Sequence, residues 1–158
     1  MSICNLRPQS RGEVTINSKN PEDLPKIIPN YLSTESDQKI AIDSIKVARK
    51  IANASPLKQH ILDEFVPGGS LVSDEDLLEA AKNNSQSIYH PVGTCKMGND
   101  KDSVVDDQLK VYGVKGLRVV DASIMPELVS GNTNAPTMMI AEKAAEMILS
   151  DNKVSLTK

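Results

Sequence analysis

Residues 87–98 read SIYHPVGTCKMG and hold His90, one of only two histidines in the chain. The proline that follows disfavours the helical region for the residue before it, so the backbone rather than a helix face aims the imidazole. With an ordinary pKa near ~6.5, such a ring can take a proton at neutral pH, as a general base must. The alternative is a structural histidine bonded to a neighbouring carbonyl. On residue type alone that alternative is the stronger one. A second unusual stretch, VSGNTNAPTMMIAEKAAEM at 129–147, crowds Ser130, Asn132, Thr133 and Asn134 into the entry of a helix. The first amides of a helix lack intrahelical acceptors and attract negative charge. An asparagine cap explains most of this pattern, but Thr133 or Asn134 could supply the cap, which leaves Asn132 over.

Other reactive side chains offer less. His60 lies in SPLKQHILDEF among Lys58, Gln59, Asp63 and Glu64, as a solvated residue would. Cys4 and Cys95 are too few and too distant for a disulfide framework or a metal cluster, which points to a reducing compartment. Cys95 has no identifiable base or resolving cysteine to make it a nucleophile, so it and Met97 read as packing residues.

Several elements must hold these residues in place. GEVTINS, 12–18, alternates Val14 and Ile16 against polar neighbours, the period of a half-buried strand. Pro21, Pro25 and Pro29 make 20–30 an extended, irregular connection. Over 37–53, Ala41, Ile45, Ala48 and Ala52 recur at helical spacing, with Lys39, Lys46, Arg49 and Lys50 mostly on the other side. Ser73 and the acidic residues after it predict a capped helix over about 74–83. The β-branched runs of 104–120, split by glycines, read as strand, turn, strand, with 117–120 the most buried. A last helix starts near Pro136 and packs through Ala141, Ala144, Ala145 and Ile148, and 151–158 is a flexible tail.

The 158 residues suffice for one domain with a real core, built without tryptophan and with only 3% aromatic residues. A net charge of -3 with interspersed signs gives no electrostatic case for nucleic acid. No apolar run approaches the ~20 residues of a transmembrane segment, and the N-terminus lacks a signal-peptide core. A cytoplasmic location follows, with a peripheral position at the membrane left open.

YHPVGTCKMG, VVDDQLKVYGVKGLRVVDASIMP and GNTNAPTMMIAEKAAEMI, in that order, resemble the C-terminal portion of the glucose-methanol-choline (GMC) flavoprotein oxidoreductases, in particular the choline-dehydrogenase-like alcohol dehydrogenases. LRPQSRGEVTINSKNPEDLPKIIPNYL is similar to the segment that opens this region. The resemblance implies an α+β fold: strands and helices of 1–90 in an antiparallel-sheet substrate domain, and 91–150 returning a strand and the terminal helix to a Rossmann-like FAD domain. It implies that His90 accepts the proton of an alcohol beside flavin N5, and that Asn132 orients the oxygen or stabilises its alkoxide. It places Asp121 and Ala122 against the ribityl and pyrophosphate region of FAD, and Asn134 with the helix start near the flavin pyrimidine.

The glycine-rich fingerprint that holds FAD in this family, GxGxxG at a strand-to-helix turn, does not occur here; VPGGSLVSD has the wrong spacing. The chain is therefore expected to be the last part of a larger enzyme, inactive alone, with exposed edges and apolar faces where an N-terminal FAD-binding segment would sit. The implied partners are that segment, a small alcohol and a quinone-type electron acceptor. The competing reading is a remnant or small interaction domain that keeps the packing motifs and binds no flavin.

Overall fold

The computed structural model describes residues 1–156, in which one compact unit spans Met1–Ser87 and a second begins at Ile88. The division falls three residues before the expected boundary at 90, so His90 joins Asn132 in the second unit. Among the described residues, no helix is long and apolar enough to cross a membrane.

The first unit pairs β1 (Glu13–Thr15) with β2 (Lys26–Ile28) in an antiparallel ladder with Val14 opposite Ile27. The strand expected over 12–18 is thus only three residues long. Part of the proline-rich connection is itself a strand, bracketed by Pro25 and Pro29. A two-stranded sheet has only edges, so prolines beside so short a strand interrupt few ladder bonds. Val14, Ile16 and Ile27 remain exposed.

Three helices follow: α1 (Glu35–Ala52), the single turn α2 (Ser55–Lys58) and α3 (Asp74–Asn84). The N–H of Asp76 donates to the Ser73 hydroxyl at 3.1 Å, capping α3. Leu77, Ala80 and Ala81, spaced along one face of α3, are buried, and α3 packs against α1. At the head of α1, the Asp37 N–H donates to the Thr34 hydroxyl at 3.3 Å. Asp37 itself is 3% exposed and gathers the irregular N-terminal stretch. Its Oδ1 accepts from Asn5 Nδ2 at 3.0 Å and from the Gln9 N–H at 2.9 Å; its Oδ2 accepts from the Ser10 N–H at 2.7 Å and the Ser10 hydroxyl at 2.5 Å. Ser10 Oγ in turn accepts from the Ser33 N–H at 3.0 Å, so one hydroxyl joins the carboxylate to the chain entering α1.

Arg49, placed by periodicity among the outward-facing cations, instead turns partly inward, with its side chain 22% exposed. Nε and Nη2 donate to the two Glu64 oxygens, each at 2.8 Å, and further donors reach the carbonyls of Leu71 at 2.8 Å and Gly68 at 3.1 Å. A planar fork with this many acceptors can pack where a lysine could not. It closes the loop that leads to α3, from which Leu62 and Phe65 project almost fully exposed.

Among the described residues, the second unit has no extended strand. Single bridges join Met97 to Val105, Val105 to Val111, and Lys110 to Arg118. Gly113 and Gly116 take left-handed φ of 75° and 76°, and these turns break the two strands expected over 104–120 into isolated pairs. Burial also falls elsewhere than expected. Leu117 is half exposed, whereas Val105, Leu109, Ile124, Met125, Ile140 and Ala144 form the core.

The last helix, α4, spans Asn134–Leu156, starting two residues before Pro136 and running well into the stretch expected as a flexible tail; 157–158 lie outside the described residues. Its buried face runs through Ile140 and Ala144, with Met147 beside it and buried Thr133 just before the helix. Of the expected stripe Ala144 is buried, whereas Ala141, Ala145 and Ile148 are exposed. Asp151 Oδ2 meets Lys110 Nζ at 2.8 Å and Arg118 Nη2 at 2.7 Å, fastening the helix to the bridged segment.

Burial pushes the Asp37 pKa up, but hydrogen bonds from the Ser10 hydroxyl, the Gln9 and Ser10 amides and Thr34 outweigh it, and the carboxyl titrates below its ordinary value. A lowered folded pKa means that the contribution to stability is complete above the unfolded value, about 3.9, and is lost as pH falls through the folded value. Asp37→Asn should lower stability at pH 7 by about 2 kcal/mol in urea unfolding, because two amide donors would then share an uncharged side chain. The difference between variant and wild type should shrink as the pH falls through the lowered carboxyl value. Arg49→Lys keeps the charge and loses the fork, and should cost about 1–2 kcal/mol in the same assay.

Candidate active site

His90 is held from both sides by the approach to α4. Its Nδ1 lies 3.0 Å from Thr133 Oγ1, and its Nε2 lies 3.3 Å from Asn132 Oδ1. The structure therefore brings together the two residues the sequence singles out, across 42 intervening steps of chain. The ring is half-buried, Asn132 is exposed and Thr133 is buried at 8% exposure. The Nδ1 side of the imidazole thus meets a buried partner and the Nε2 side an exposed one.

Backbone geometry places the ring. Tyr89, just before it, has a left-handed φ of 62°, which is uncommon for a large side chain and is maintained only where surrounding structure enforces it. After Pro91, Gly93 has φ of 90°, and a Cβ there would stand 3.4 Å from the Met125 carbonyl. The glycine allows the chain to turn against the segment it then pairs with. The Cys95 N–H donates to the Ser123 carbonyl at 3.0 Å, and the Met97 N–H to the Ile124 carbonyl at 2.8 Å.

Those carbonyls belong to a 3-10 turn, Ala122–Ile124, which Asp121 caps by accepting the Ser123 N–H at 2.7 Å. Asp121 and Ala122 thus sit on a turn stitched to the His90 segment. Asn134 is the first residue of α4 and is exposed, with its Nδ2 3.9 Å from Met138 Sδ. No acidic residue occupies the first turn of α4. Pro136 has no N–H, so Asn134 and Ala135 supply the free amides at the helix's positive end. That donor set suits a negatively charged or electron-rich group and repels no negative charge. Cys95 is half-buried and His60 is exposed. Among the described residues, no group of three or more His, Cys, Asp or Glu side chains could hold a metal ion.

The sequence reading treats Thr133 as one of two candidate caps and misses its contact with His90. The available signal is Pro136, the third residue of α4: a helix cap accepts from the second or third amide, and here the third does not exist.

The chain is similar to known proteins over most of its length. A family model described as GMC oxidoreductase matches residues 8–141. The alcohol dehydrogenase (acceptor) of Pseudomonas putida is 52% identical over 149 residues, covering 94% of this chain and 27% of the relative. The oxygen-dependent choline dehydrogenase of Escherichia coli O139:H28 is 46% identical over 146 residues, covering 92% of this chain and 26% of the relative. Among solved structures, pyridoxine 4-oxidase from Mesorbium loti superposes with a TM-score of 0.84 at 35% identity, over 89% of this chain and 28% of that one. An FAD-dependent oxidoreductase from Chaetomium thermophilum superposes with a TM-score of 0.88 at 33% identity, over 94% and 26%. The chain thus spans about a quarter of the length of these relatives.

Gly93→Ala tests the turn that follows the histidine. A Cβ at this φ should reduce stability by about 1–2 kcal/mol in chemical denaturation; an unchanged midpoint would show that the turn relaxes freely.

Proposed function

The chain belongs to the GMC oxidoreductase family, and on that footing we propose that it carries the catalytic residues of an FAD-dependent enzyme that oxidises an alcohol to an aldehyde or ketone. The observation that carries the reading is the convergence of His90 Nε2 and Asn132 at 3.3 Å on the open side of a ring fixed from behind. The names of the two curated relatives support an alcohol as the donor.

His90 would accept the hydroxyl proton at Nε2 once the substrate takes the place of Asn132 Oδ1 at that nitrogen and the ring's own proton sits on Nδ1, turned inward to Thr133. Asn132, a carboxamide that can donate as well as accept, would orient the alcohol oxygen and stabilise the charge that develops on it, with no proton transfer of its own. The amides of Asn134 and Ala135 and the positive end of α4 would favour negative charge on the ring system beside them. Asp121 and Ala122 would meet the ribityl and pyrophosphate portion of the cofactor. The chemistry drawn from FAD, when bound, is hydride acceptance at flavin N5. A glycine-rich FAD-binding segment would complete the site, with a quinone-type acceptor as the onward electron partner.

Coexpression of the chain with the FAD-binding segment of a relative tests this reading. The expected result is yellow protein that reduces a dye when an alcohol is added. His90→Ala should retain the flavin absorbance and lose roughly 10^2- to 10^4-fold in turnover, the usual contribution of a general base. Asn132→Ala should also lose turnover while keeping flavin. Colourless, folded, monodisperse protein, or a His90→Ala variant as active as wild type, would reject the proposal.

A further inference from the structure

Three side-chain caps in this chain behave in the ordinary way. Thr34 accepts from the third residue of α1, Ser73 accepts from the third residue of α3, and Asp121 accepts from Ser123. Thr133 occupies the equivalent place before α4, since its carbonyl accepts the Thr137 N–H at 3.0 Å, the first bond of the helical ladder. Its hydroxyl does something else. The third residue of α4 is Pro136, which offers no N–H, and Thr133 Oγ1 lies instead 3.0 Å from His90 Nδ1.

We infer that Thr133 is a positioning residue for His90: with no N–H at Pro136 for it to cap, its hydroxyl holds Nδ1 against the start of α4 and leaves Nε2 as the nitrogen that faces Asn132 and substrate. Three features make the contact suited to this role. Thr133 is buried, and the Thr137 hydroxyl donates to its carbonyl at 2.7 Å, so its backbone is fixed. A β-branched side chain has few χ1 states, so the hydroxyl's direction is narrowly defined. In the ring that can act as a base, Nδ1 carries the proton and donates it to the Thr133 hydroxyl oxygen, so the contact selects that tautomer. Protonation at Nε2 leaves this bond in place.

The catalytic consequence rests on the alcohol-oxidation reading, whereas the ring contact does not, and two measurements separate them. The first uses the 158-residue chain labelled with 15N-histidine, in which His60 serves as the exposed internal reference. Nitrogen chemical shifts report the tautomer populations of the two rings near neutral pH. Wild type should show one dominant tautomer at His90, unlike His60; Thr133→Ser should keep it; Thr133→Val, which retains shape and removes the hydroxyl, should give a mixture like that of His60. A wild-type His90 with the same mixture as His60, or a Thr133→Val ring unchanged from wild type, would overturn the inference. Because the first of these outcomes needs no variant, misfolding of Thr133→Val cannot shield it.

The second measurement uses the flavin-loaded coexpressed protein. Thr133→Val should lower kcat by on the order of 10- to 100-fold, the effect of misplacing a reacting group, with KM nearly unchanged. Thr133→Ser should recover most of the loss. A tautomer shift in Thr133→Val accompanied by full kcat would mean that the positioning has no catalytic consequence. If His90→Ala keeps full turnover while the tautomer results stand, the alcohol-oxidation reading fails and the ring contact survives.

Discussion

The structure of the second unit turns on one constraint: both nitrogens of the His90 ring are engaged by consecutive residues at the start of α4. Each of these hydrogen bonds contributes only about 1 kcal/mol net, too little to organise a protein segment. They select a ring orientation, and packing supplies the rest. Ile140 and Ala144 seat α4 in the core with Val105, Leu109, Ile124 and Met125, and Asp151 ties its far end to Lys110 and Arg118. The 3-10 turn that contributes Ile124 is the same one whose carbonyls receive the Cys95 and Met97 amides. The helix, the turn and the histidine segment therefore share one core, so the ring's position is defined relative to both the helix start and the turn that bears Asp121.

The first unit solves a similar problem with charge. Its N-terminal stretch and the 60–72 loop contain little regular structure, and each is drawn to a helix through one ionised side chain whose partners are numerous. Asp37 receives amide and hydroxyl donors from the chain leading into β1; Arg49 places its fork on Glu64 and its remaining reach on two carbonyls. An ionised group removed from water is costly unless saturated in this way, and once saturated it fixes the chain that surrounds it. Asp37 also explains why the head of α1 departs from a capping box. The third residue of the helix turns to Ser10, and Ser10, rather than that residue, meets the amides of Ser33 and Thr34.

Elements defined by local chemistry were legible in the amino-acid pattern. Ser73 followed by acidic residues marks the head of α3, and the alanine spacing of 41–52 marks α1, because caps and helical periodicity act within a turn or two. The 104–120 segment was not legible as it is. Its β-branched residues suit strands, but Gly113 and Gly116 turn the chain before any ladder can extend, and only contacts distant in sequence decide that Val105 rather than Leu117 is buried. The face of α4 was legible only in part: Ala144 is buried as its spacing predicts, but Ala141, Ala145 and Ile148 are exposed and Ile140 joins Ala144 in the core, a choice that long-range packing makes and hydropathy does not encode. His90 and Asn132 were identifiable through the family's ordered motifs, not through periodicity. Thr133 was identifiable in principle from Pro136, whose effect on a helix is usually read as a start signal and here also leaves a cap without its partner.

The account stands on the convergence of His90 and Asn132 about one oxygen of a substrate. A crystal structure of the flavin-loaded assembly with a non-reactive alcohol analogue measures it directly. The account predicts the analogue's hydroxyl oxygen within about 2.6–3.2 Å of His90 Nε2 and within hydrogen-bond reach of the Asn132 carboxamide, with Thr133 still on Nδ1. An analogue bound with its hydroxyl away from both side chains, or a His90 ring rotated so that Nδ1 rather than Nε2 faces the analogue, would contradict it.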